Sequence, residues 1–188
     1  MTSAIVLAAG ASSRMGSPKA LLDVRGRPAV ERVVAALRDG GAGEIVVVVG
    51  RHAGEIRAGA DLRGVRVVDN PDWARGRTSS VQRGLAALPP GTEWTLLALV
   101  DMPLVRADTV RALLAARRGD ADALVPVHDG RRGHPIALRR TLFAAIAALG
   151  PDAPLHDVIR AARRADVPVD DPGVLVDFDE PGDVVSPA

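Results

Sequence analysis

Five short runs of apolar residues, without alternating polar positions, constrain the fold of this chain more than any other feature. They cover residues 4–9, 45–49, 65–68, 95–100 and 123–127. Strands that are buried on both faces of a parallel sheet have this continuous pattern. Helical patterns separate the runs, as in the apolar stripe between Pro28 and Gly40. This alternation predicts a single α/β domain over residues 1–188, with a mainly parallel sheet and right-handed crossovers.

The segments between the runs predict the remaining elements. We expect helices over residues 81–88, 109–118, 141–149 and 155–164, with Ser79 and Ser80 before the first and Asp108 capping the second. Residues 128–133 lie between the strand-like segments 123–127 and 135–138 and are predicted to form a hairpin. The tail, residues 174–183, is predicted to be a last strand that ends in acidic residues.

The composition argues against several classes of function. The net charge is +1 and the arginines are scattered, so no basic stripe indicates nucleic-acid binding. There is no cysteine, which excludes a disulfide, a thiolate zinc site and a cysteine nucleophile. No apolar run reaches the ~18 residues of a membrane span, and no targeting segment is recognisable. We therefore expect a cytoplasmic protein that binds neither nucleic acid nor a membrane.

The segment LAAGASSRMGSPKALL, residues 7–22, joins the first strand to a loop suited to an anion. Gly10 and Gly16 allow tight turns and close approach to a ligand, and the intervening amides can form an anion nest. Arg14 and Lys19 add positive charge, and Lys19 is the single lysine among 24 basic residues. The glycine spacing fits neither the Walker loop nor the dinucleotide fingerprint. We expect a phosphate cradle; a surface loop with incidental charges is the alternative.

Acidic residues supply candidate metal ligands. Asp101 lies at the carboxyl end of the predicted strand 95–100, where open parallel sheets bind ligands. One or two carboxylates beside substrate phosphates suit Mg²⁺. Capping of the next helix is the alternative for Asp101. One of the tail acids Asp177, Asp179 and Asp183 could complete the site, although acids near a chain end are commonly just solvated.

Two further segments are candidates for substrate contacts. His134, between Gly133 and Pro135, could contact a substrate or simply satisfy a turn. Ser79 and Ser80 stand at a predicted helix start, where hydroxyls can hold an anion or a base edge and can equally cap the helix.

Five motifs in order resemble the MobA-like nucleotidyltransferase superfamily, and within it the molybdenum cofactor cytidylyltransferases. They are LAAGASSRMGSPKALL, NPDWARGRTSSVQRGL, LVDMPL, GHPIAL and VDFDEPGDV, and they span nearly the whole chain. The resemblance implies a three-layer α/β/α sandwich with a mostly parallel sheet, Rossmann-like and of the glycosyltransferase-A type. It also implies transfer of a nucleoside monophosphate from a nucleoside triphosphate to an acceptor phosphate, with release of pyrophosphate.

The resemblance also implies roles for individual residues. Leu7, Ala8, Ala9 and Gly10 would line the base and ribose pocket. Arg14 and Lys19 would hold the triphosphate and act in catalysis with Asp101, while Asp101 and Asp179 would bind Mg²⁺. Ser79 and Ser80 fall on the nucleotide side, and Arg131, Gly133 and His134 on the acceptor side.

The nature of the two substrates is less constrained by these motifs. Cytidylyl-transferring relatives resemble LAAG at residues 7–10 and guanylyl-transferring ones LAGG, so Ala9 favours CTP. A molybdopterin-type acceptor is expected, and a transient contact with an enzyme that receives the finished cofactor. The chain departs from the common pattern at Arg77 and Thr78, where relatives often carry Gly-Met, and at Glu180 and Gly182 in the tail.

Three alternatives stay open at this point. The same chemistry could serve another phosphorylated small molecule, such as a sugar or alcohol phosphate, with Arg131 and Arg132 as contacts. A non-catalytic nucleotide sensor would need the loop but not both acids. A Rossmann-type oxidoreductase should show the Gly-x-Gly-x-x-Gly turn, which is absent here.

Overall fold

The computed structural model describes residues 1–12, 16–150 and 153–179, with only the backbone of Arg118. Within these residues the strands are β1 (Thr2–Ala8), β2 (Asp23–Val24), β3 (Arg27–Pro28), β4 (Ile45–Val49), β5 (Arg66–Asp69), β6 (Trp94–Leu99), β7 (Ala123–His128), β8 (Arg131–Arg132), β9 (Ile136–Arg139) and β10 (Arg164–Pro168). The α-helices are α1 (Ala29–Asp39), α2 (Ala53–Gly59), α3 (Arg77–Ala86), α4 (Ala107–Ala115), α5 (Phe143–Ala147) and α6 (Leu155–Ala161).

The main sheet confirms the expected mostly parallel arrangement. Its strand order is β10-β7-β9-β6-β1-β4-β5, with β8 paired to β7 as a hairpin. The strands β6, β1, β4 and β5 pair in parallel, as do β7 and β10, whereas β9 runs antiparallel to both of its neighbours. β1 therefore lies in the middle of a parallel block, with β4 on one side and β6 on the other.

Helices cover both faces of this sheet, which explains the continuous apolar runs. Ala4, Val6 and Ala8 of β1 face a core formed with α1, α2 and α4. Ile5 and Leu7 face the opposite core, which includes residues of α3, α5 and α6. Successive side chains of a strand point to opposite faces, so a strand between two helical layers must be apolar throughout. The three-layer α/β/α sandwich is thus confirmed.

Two helix starts differ from the sequence expectation. α3 begins at Arg77, so Ser79 and Ser80 lie inside its first turn instead of before it. α4 begins at Ala107, and Asp108 does not cap it; its carboxylate accepts hydrogen bonds from Arg111 one turn later, at 2.6 and 3.2 Å. A local ion pair within the first turn has taken the place of the expected cap.

The carboxyl-terminal region departs further from expectation. The expected last strand over residues 174–183 is wrong for its described part, where a 3-10 turn (Pro172–Leu175) leads into an irregular segment up to Asp179. The helix expected to reach residue 164 ends at Ala161, and the sequence analysis missed edge strand β10. Most β10 side chains are exposed or half-buried, so the strand lacks a continuous apolar run.

The irregular tail segment is fixed against the carboxyl ends of the central strands. The backbone N–H of Phe178 donates a 2.7 Å hydrogen bond to the carbonyl of Asp101. The Phe178 ring is 2% exposed and packs with Val24 and Ala29 in a small separate core. This anchor carries Asp179 across the end of β6.

None of the described helices is long and apolar enough to cross a membrane.

Candidate active site

A cleft of about 290 Å³ opens at the carboxyl ends of β1, β4 and β6. Open α/β sheets bind ligands at this edge, because the loops after neighbouring parallel strands meet there. The cleft is lined by Leu7, Ala8, Ala9, Gly10, Ser12, Pro18, Lys19, Ala20, His52, Ile56, Trp73, Gly76, Arg77, Ser80, Leu99, Val100 and Asp101. The structure therefore brings together the loops that follow the first and the fourth apolar runs, residues 4–9 and 95–100.

The loop after β1 forms one wall of the cleft. Gly16 has a φ of +68°, which favours glycine, and Ser12 accepts a 3.1 Å hydrogen bond from the backbone N–H of Lys19. A Cβ placed on Gly10 would meet nothing within 4 Å, so any side chain there would project into open space beside the cleft. Arg14, expected to hold phosphate, lies outside the described residues.

A lysine and two carboxylates form the charged centre of the cleft. The Lys19 ammonium donates a hydrogen bond to Asp179 Oδ1 and lies 3.9 Å from Asp101 Oδ2. The exposed fractions of these side chains are 16% for Lys19, 21% for Asp101 and 40% for Asp179. Of the two tail acids that the structure describes, Asp177 is exposed and Asp179 reaches Lys19 in the cleft. The third candidate, Asp183, lies outside the described residues.

The environment of Asp101 is unusual for a carboxylate. Its Oδ1 atom is buried and has no hydrogen-bond partner among the described residues. Burial raises the pKa of the Asp101 carboxyl above its usual value, and the charges of Lys19 and Arg77 oppose that shift. A buried oxygen without a partner costs free energy unless a ligand satisfies it.

The two carboxylates fit a hard divalent cation. In the part of the chain that is described, no group of three or more His, Cys, Asp or Glu side chains could hold a metal by itself. Asp101 and Asp179 would supply two oxygen-bearing groups, and Mg²⁺ is commonly held by one or two carboxylates together with substrate phosphates. The partnerless Asp101 Oδ1 is the observation that supports this fit.

The opposite wall of the cleft carries aromatic and hydroxyl groups. His52 lies 3.1 Å from the carbonyl of Ala11 and 2.7 Å from Glu55 Oε1, which fixes its ring over the cleft edge. Trp73 lies nearby, with the Arg51 guanidinium 5.8 Å from its ring centre. A flat base could pack against such a wall, because aromatic faces favour stacking.

The two serines of α3 have different positions. Ser80 lines the cleft and accepts a 2.9 Å hydrogen bond from Asn70 Nδ2. Ser79 accepts a second 2.9 Å bond from the same amide and lies within 3.0 Å of the carbonyls of Asp72 and Gly76. Ser79 does not line the cleft, so only Ser80 is placed to contact a ligand there.

A second cavity, of about 600 Å³, adjoins the cleft and shares Gly76, Arg77 and Leu99 with it. His134 lines this second cavity. Burial lowers the pKa of His134 to about 4, and the positive charge of Arg77 acts in the same direction. The imidazole is therefore uncharged at neutral pH.

The other two residues expected on the acceptor side lie elsewhere. Gly133 is buried against the backbone of Val174, and a Cβ on it would collide with the Val174 carbonyl. Arg131 is exposed on β8 and lines neither cavity. The structure thus places His134, but not Gly133 or Arg131, on a cavity wall.

Arg77 is a site residue that the sequence analysis noted only as a departure from the common family pattern, without giving it a role. It is the first residue of α3 and lines both cavities. The sequence analysis expected this helix to begin after Ser80. It therefore placed Arg77 in the preceding loop and not at the helix start that borders the cleft. The local sequence signal was the glycine at position 76, directly before the helix. In the structure Gly76 adopts a φ of +107°, a conformation that favours glycine.

Comparison with known proteins identifies relatives over most of the chain. A family model described as the MobA-like NTP transferase domain matches residues 4–167. The chain is 39% identical over 151 residues to nicotine blue oxidoreductase of Paenarthrobacter nicotinovorans, covering 77% of this chain and 74% of that protein. It is 27% identical over 184 residues to molybdenum cofactor cytidylyltransferase of Escherichia coli K12, covering 97% and 93%.

Solved structures show the same architecture. The crystal structure of Rv0371c from Mycobacterium tuberculosis H37Rv superposes with a TM-score of 0.87 at 29% identity, covering 97% of this chain and 94% of that one. A complex of Rv0371c with manganese superposes with a TM-score of 0.77 at 26% identity, covering 89% and 88%.

Proposed function

The chain belongs to the MobA-like NTP transferase family, and on that premise we propose that it transfers CMP from CTP to the phosphate of a molybdopterin-type acceptor. A nucleotidyltransferase of this family uses a nucleoside triphosphate and a phosphorylated acceptor. The observation that carries the proposal is the cluster of Lys19, Asp101 and Asp179 in a cleft at the carboxyl ends of the central strands. The cytoplasm is the proposed location, because nucleoside triphosphates are available there.

The proposed reaction is an in-line displacement at the α-phosphorus of CTP. An oxygen of the acceptor phosphate forms the new P–O bond, and the bond from the α-phosphorus to the α,β-bridging oxygen breaks. Both electrons of the broken bond leave with pyrophosphate. The acceptor phosphate is already ionised at neutral pH, so no strong general base is required, and catalysis consists of positioning and electrostatic stabilisation.

Lys19 has the position and charge to stabilise the leaving group. Its ammonium can move from the two carboxylates to the β- and γ-phosphates when the triphosphate enters the cleft. A compact, flexible cation suits this exchange better than the planar guanidinium used elsewhere in the chain. Arg14 would add a second positive charge from the same loop.

Asp101 and Asp179 would hold Mg²⁺ in this proposal. When bound, the ion would neutralise phosphate charge and orient the reacting groups. The manganese complex of the Mycobacterium tuberculosis relative supports a divalent cation in this fold. The buried Asp101 Oδ1 would gain in such a complex the partner that it lacks among the described residues.

The proposal favours CTP over GTP because of the residue at position 9. Leu7, Ala8, Ala9 and Gly10 line the cleft and would contact the nucleoside. Cytidylyl-transferring relatives resemble LAAG at these four positions and guanylyl-transferring ones LAGG, and one methyl group is worth ~1–3 kcal/mol of pocket preference.

An oxidoreductase is the second candidate, because the 39% identical relative carries that name. Thermal-shift titrations with CTP plus Mg²⁺, GTP plus Mg²⁺ and NADPH distinguish the two. The proposal expects the largest stabilisation with CTP plus Mg²⁺, and loss of its Mg²⁺-dependent part in Asp101→Asn. Stabilisation by NADPH alone would favour the oxidoreductase.

A further inference from the structure

The loops that follow β1 and β4 meet at two points along the edge of the cleft. The carbonyl oxygen of Ala9 approaches Gly50 so closely that a Cβ on Gly50 would lie 2.6 Å from it. Two residues further along each loop, Nε2 of His52 lies 3.1 Å from the carbonyl oxygen of Ala11. The second point of contact is therefore made by a side chain, and its strength depends on the state of the His52 ring.

The contact between His52 and Ala11 lies next to the segment that carries Lys19. Ser12 follows Ala11, and its Oγ accepts a 3.1 Å hydrogen bond from the backbone N–H of Lys19. Ser12 also has a φ of +49°, a left-handed conformation that costs free energy in a residue other than glycine and so needs surrounding contacts to hold it. The hydrogen bonds of Ala11 and Ser12 are contacts of that kind.

Both hydrogen-bond partners of the His52 ring are acceptors. Nδ1 lies 2.7 Å from Oε1 of Glu55, and Nε2 faces the Ala11 carbonyl. A carbonyl and an ionised carboxylate offer no proton, and a neutral imidazole has one N–H, so only the doubly protonated ring donates to both. A neutral ring keeps its proton on the side of the stronger acceptor, which is the carboxylate. Its Nε2 lone pair then faces the Ala11 carbonyl, and the hydrogen bond to the loop is lost.

The charged groups around the ring come from several elements. Glu55 lies on α2 and forms the ion pair that the described residues show for His52, whose side chain is 19% exposed. Arg51, the preceding residue, lies over the ring of Trp73. The other charged side chains that line the same cleft among the described residues are Lys19, Arg77 and Asp101. Asp101 is directed to Lys19, at 3.9 Å, so Glu55 is the carboxylate that decides where a neutral ring keeps its proton.

We propose that His52 is a positioning residue of the nucleotide site: its charged ring holds the Ala11 carbonyl and thereby the loop that presents Lys19 to the triphosphate. This inference rests on the proposed function, since it assigns a residue to that reaction. Glu55→Gln tests it, because the amide of glutamine can donate to Nδ1 and leaves the N–H on Nε2 to donate to Ala11 when the ring is neutral. This variant should keep the loop held at alkaline pH.

The single lysine of the chain makes cleavage by endoproteinase Lys-C a local probe of this loop, because that protease cuts after lysine. The cleavage rate, divided by that of a short unstructured lysine peptide at the same pH, follows the population of the open loop. In the wild type this ratio should rise at least ~5-fold from about pH 6.5 to about pH 8.5, the effect of losing one hydrogen bond as histidine loses its charge.

Three variants of the full chain separate the contributions. His52→Phe keeps a flat ring without donors, so its cleavage ratio should be high at both pH values, whereas that of Glu55→Gln should be low at both. Glu44→Gln is the matched control and should behave as the wild type, because it removes the same charge just before β4, at the end away from the cleft, where Glu44 lies 3.0 Å from Arg66. A wild-type ratio that does not change with pH, or a Glu55→Gln ratio that rises as in the wild type, would overturn the proposal. Both outcomes can be read even if His52→Phe does not fold.

Pyrophosphate release from CTP connects the loop with the reaction. His52→Phe should lower kcat/KM about 5-fold at about pH 6.5, where the wild-type ring is charged, and less than about 2-fold at about pH 8.5. An unchanged kcat/KM at the lower pH would refute the positioning role. If the cleavage ratios follow the expected pattern and no triphosphate releases pyrophosphate, the proposed function fails and His52 still holds the loop. If pyrophosphate is released and the cleavage ratios do not follow the pattern, the role of His52 fails alone.

Discussion

Replacing Lys19 with methionine should change turnover and metal binding in opposite directions. The substitution keeps a long unbranched side chain and removes the ammonium that contacts Asp179 and lies 3.9 Å from Asp101. In the proposed reaction the same ammonium stabilises the pyrophosphate leaving group. In the ligand-free cleft it stands between two carboxylates that would otherwise attract a divalent cation.

The structure sets the size of both effects. Two unit charges 3.9 Å apart interact by about 4 kcal/mol at an effective dielectric constant of ~20. The side chains are partly exposed, so solvent screens part of this attraction. For kcat/KM, loss of one preorganised contact to the leaving group should cost ~100-fold, or about 2.7 kcal/mol. For Mn²⁺ without nucleotide, loss of the competing ammonium should raise the affinity about 10-fold.

Pyrophosphate release measures the first effect, and electron paramagnetic resonance of Mn²⁺ measures the second. Lys19→Arg is the control, because it retains the positive charge and should keep Mn²⁺ binding weak. Near-normal kcat/KM in Lys19→Met would refute the catalytic role of Lys19. Weaker Mn²⁺ binding in that variant would refute the competition between ammonium and metal.

Three further substitutions test the surroundings of the site. Gly133→Ala should lower the Tm sharply through collision with Val174, whereas a true acceptor-binding glycine would mainly raise the acceptor KM at unchanged Tm. For His134, with a folded pKa of about 4, acidification from about pH 7 to about pH 5 protonates the unfolded chain first and lowers stability. The free energy of unfolding of His134→Gln, measured with urea, should therefore fall by about 2 kcal/mol less than that of the wild type over this pH range. An equal fall would contradict the burial of the imidazole. Phe178→Ala should cost about 3 kcal/mol of unfolding free energy and weaken Mn²⁺ binding by releasing Asp179, while unchanged stability would show that the tail is not anchored.

The central sheet and one half of the site were predictable because their signals are local. A strand buried on both faces is apolar at every position, so β1, β4 and β6 could be located from short windows of sequence. The position of Asp101 at a strand end and of Lys19 in a glycine-containing loop followed from the same windows. Right-handed parallel connections then place both at one edge of the sheet.

The other half of the site depends on contacts between distant parts of the chain. Lys19 and Asp179 are 160 residues apart, and spacing alone could not separate Asp179 from Asp177. The buried Phe178, which fixes Asp179 near Asp101, has no periodic pattern around it. Arg77 was given no role because α3 begins at residue 77, four residues before Val81, from which the helix was expected to start.

Pyrophosphate release from each nucleoside triphosphate, measured with Mg²⁺ and a panel of phosphorylated acceptors that includes molybdenum-loaded molybdopterin, tests the central claim most directly. The account predicts release that requires a nucleoside triphosphate, Mg²⁺ and an acceptor together, is faster with CTP than with GTP, and falls at least ~100-fold in Asp101→Ala. Release at equal rates in Asp101→Ala, or no release from any triphosphate with any acceptor of the panel, would contradict it.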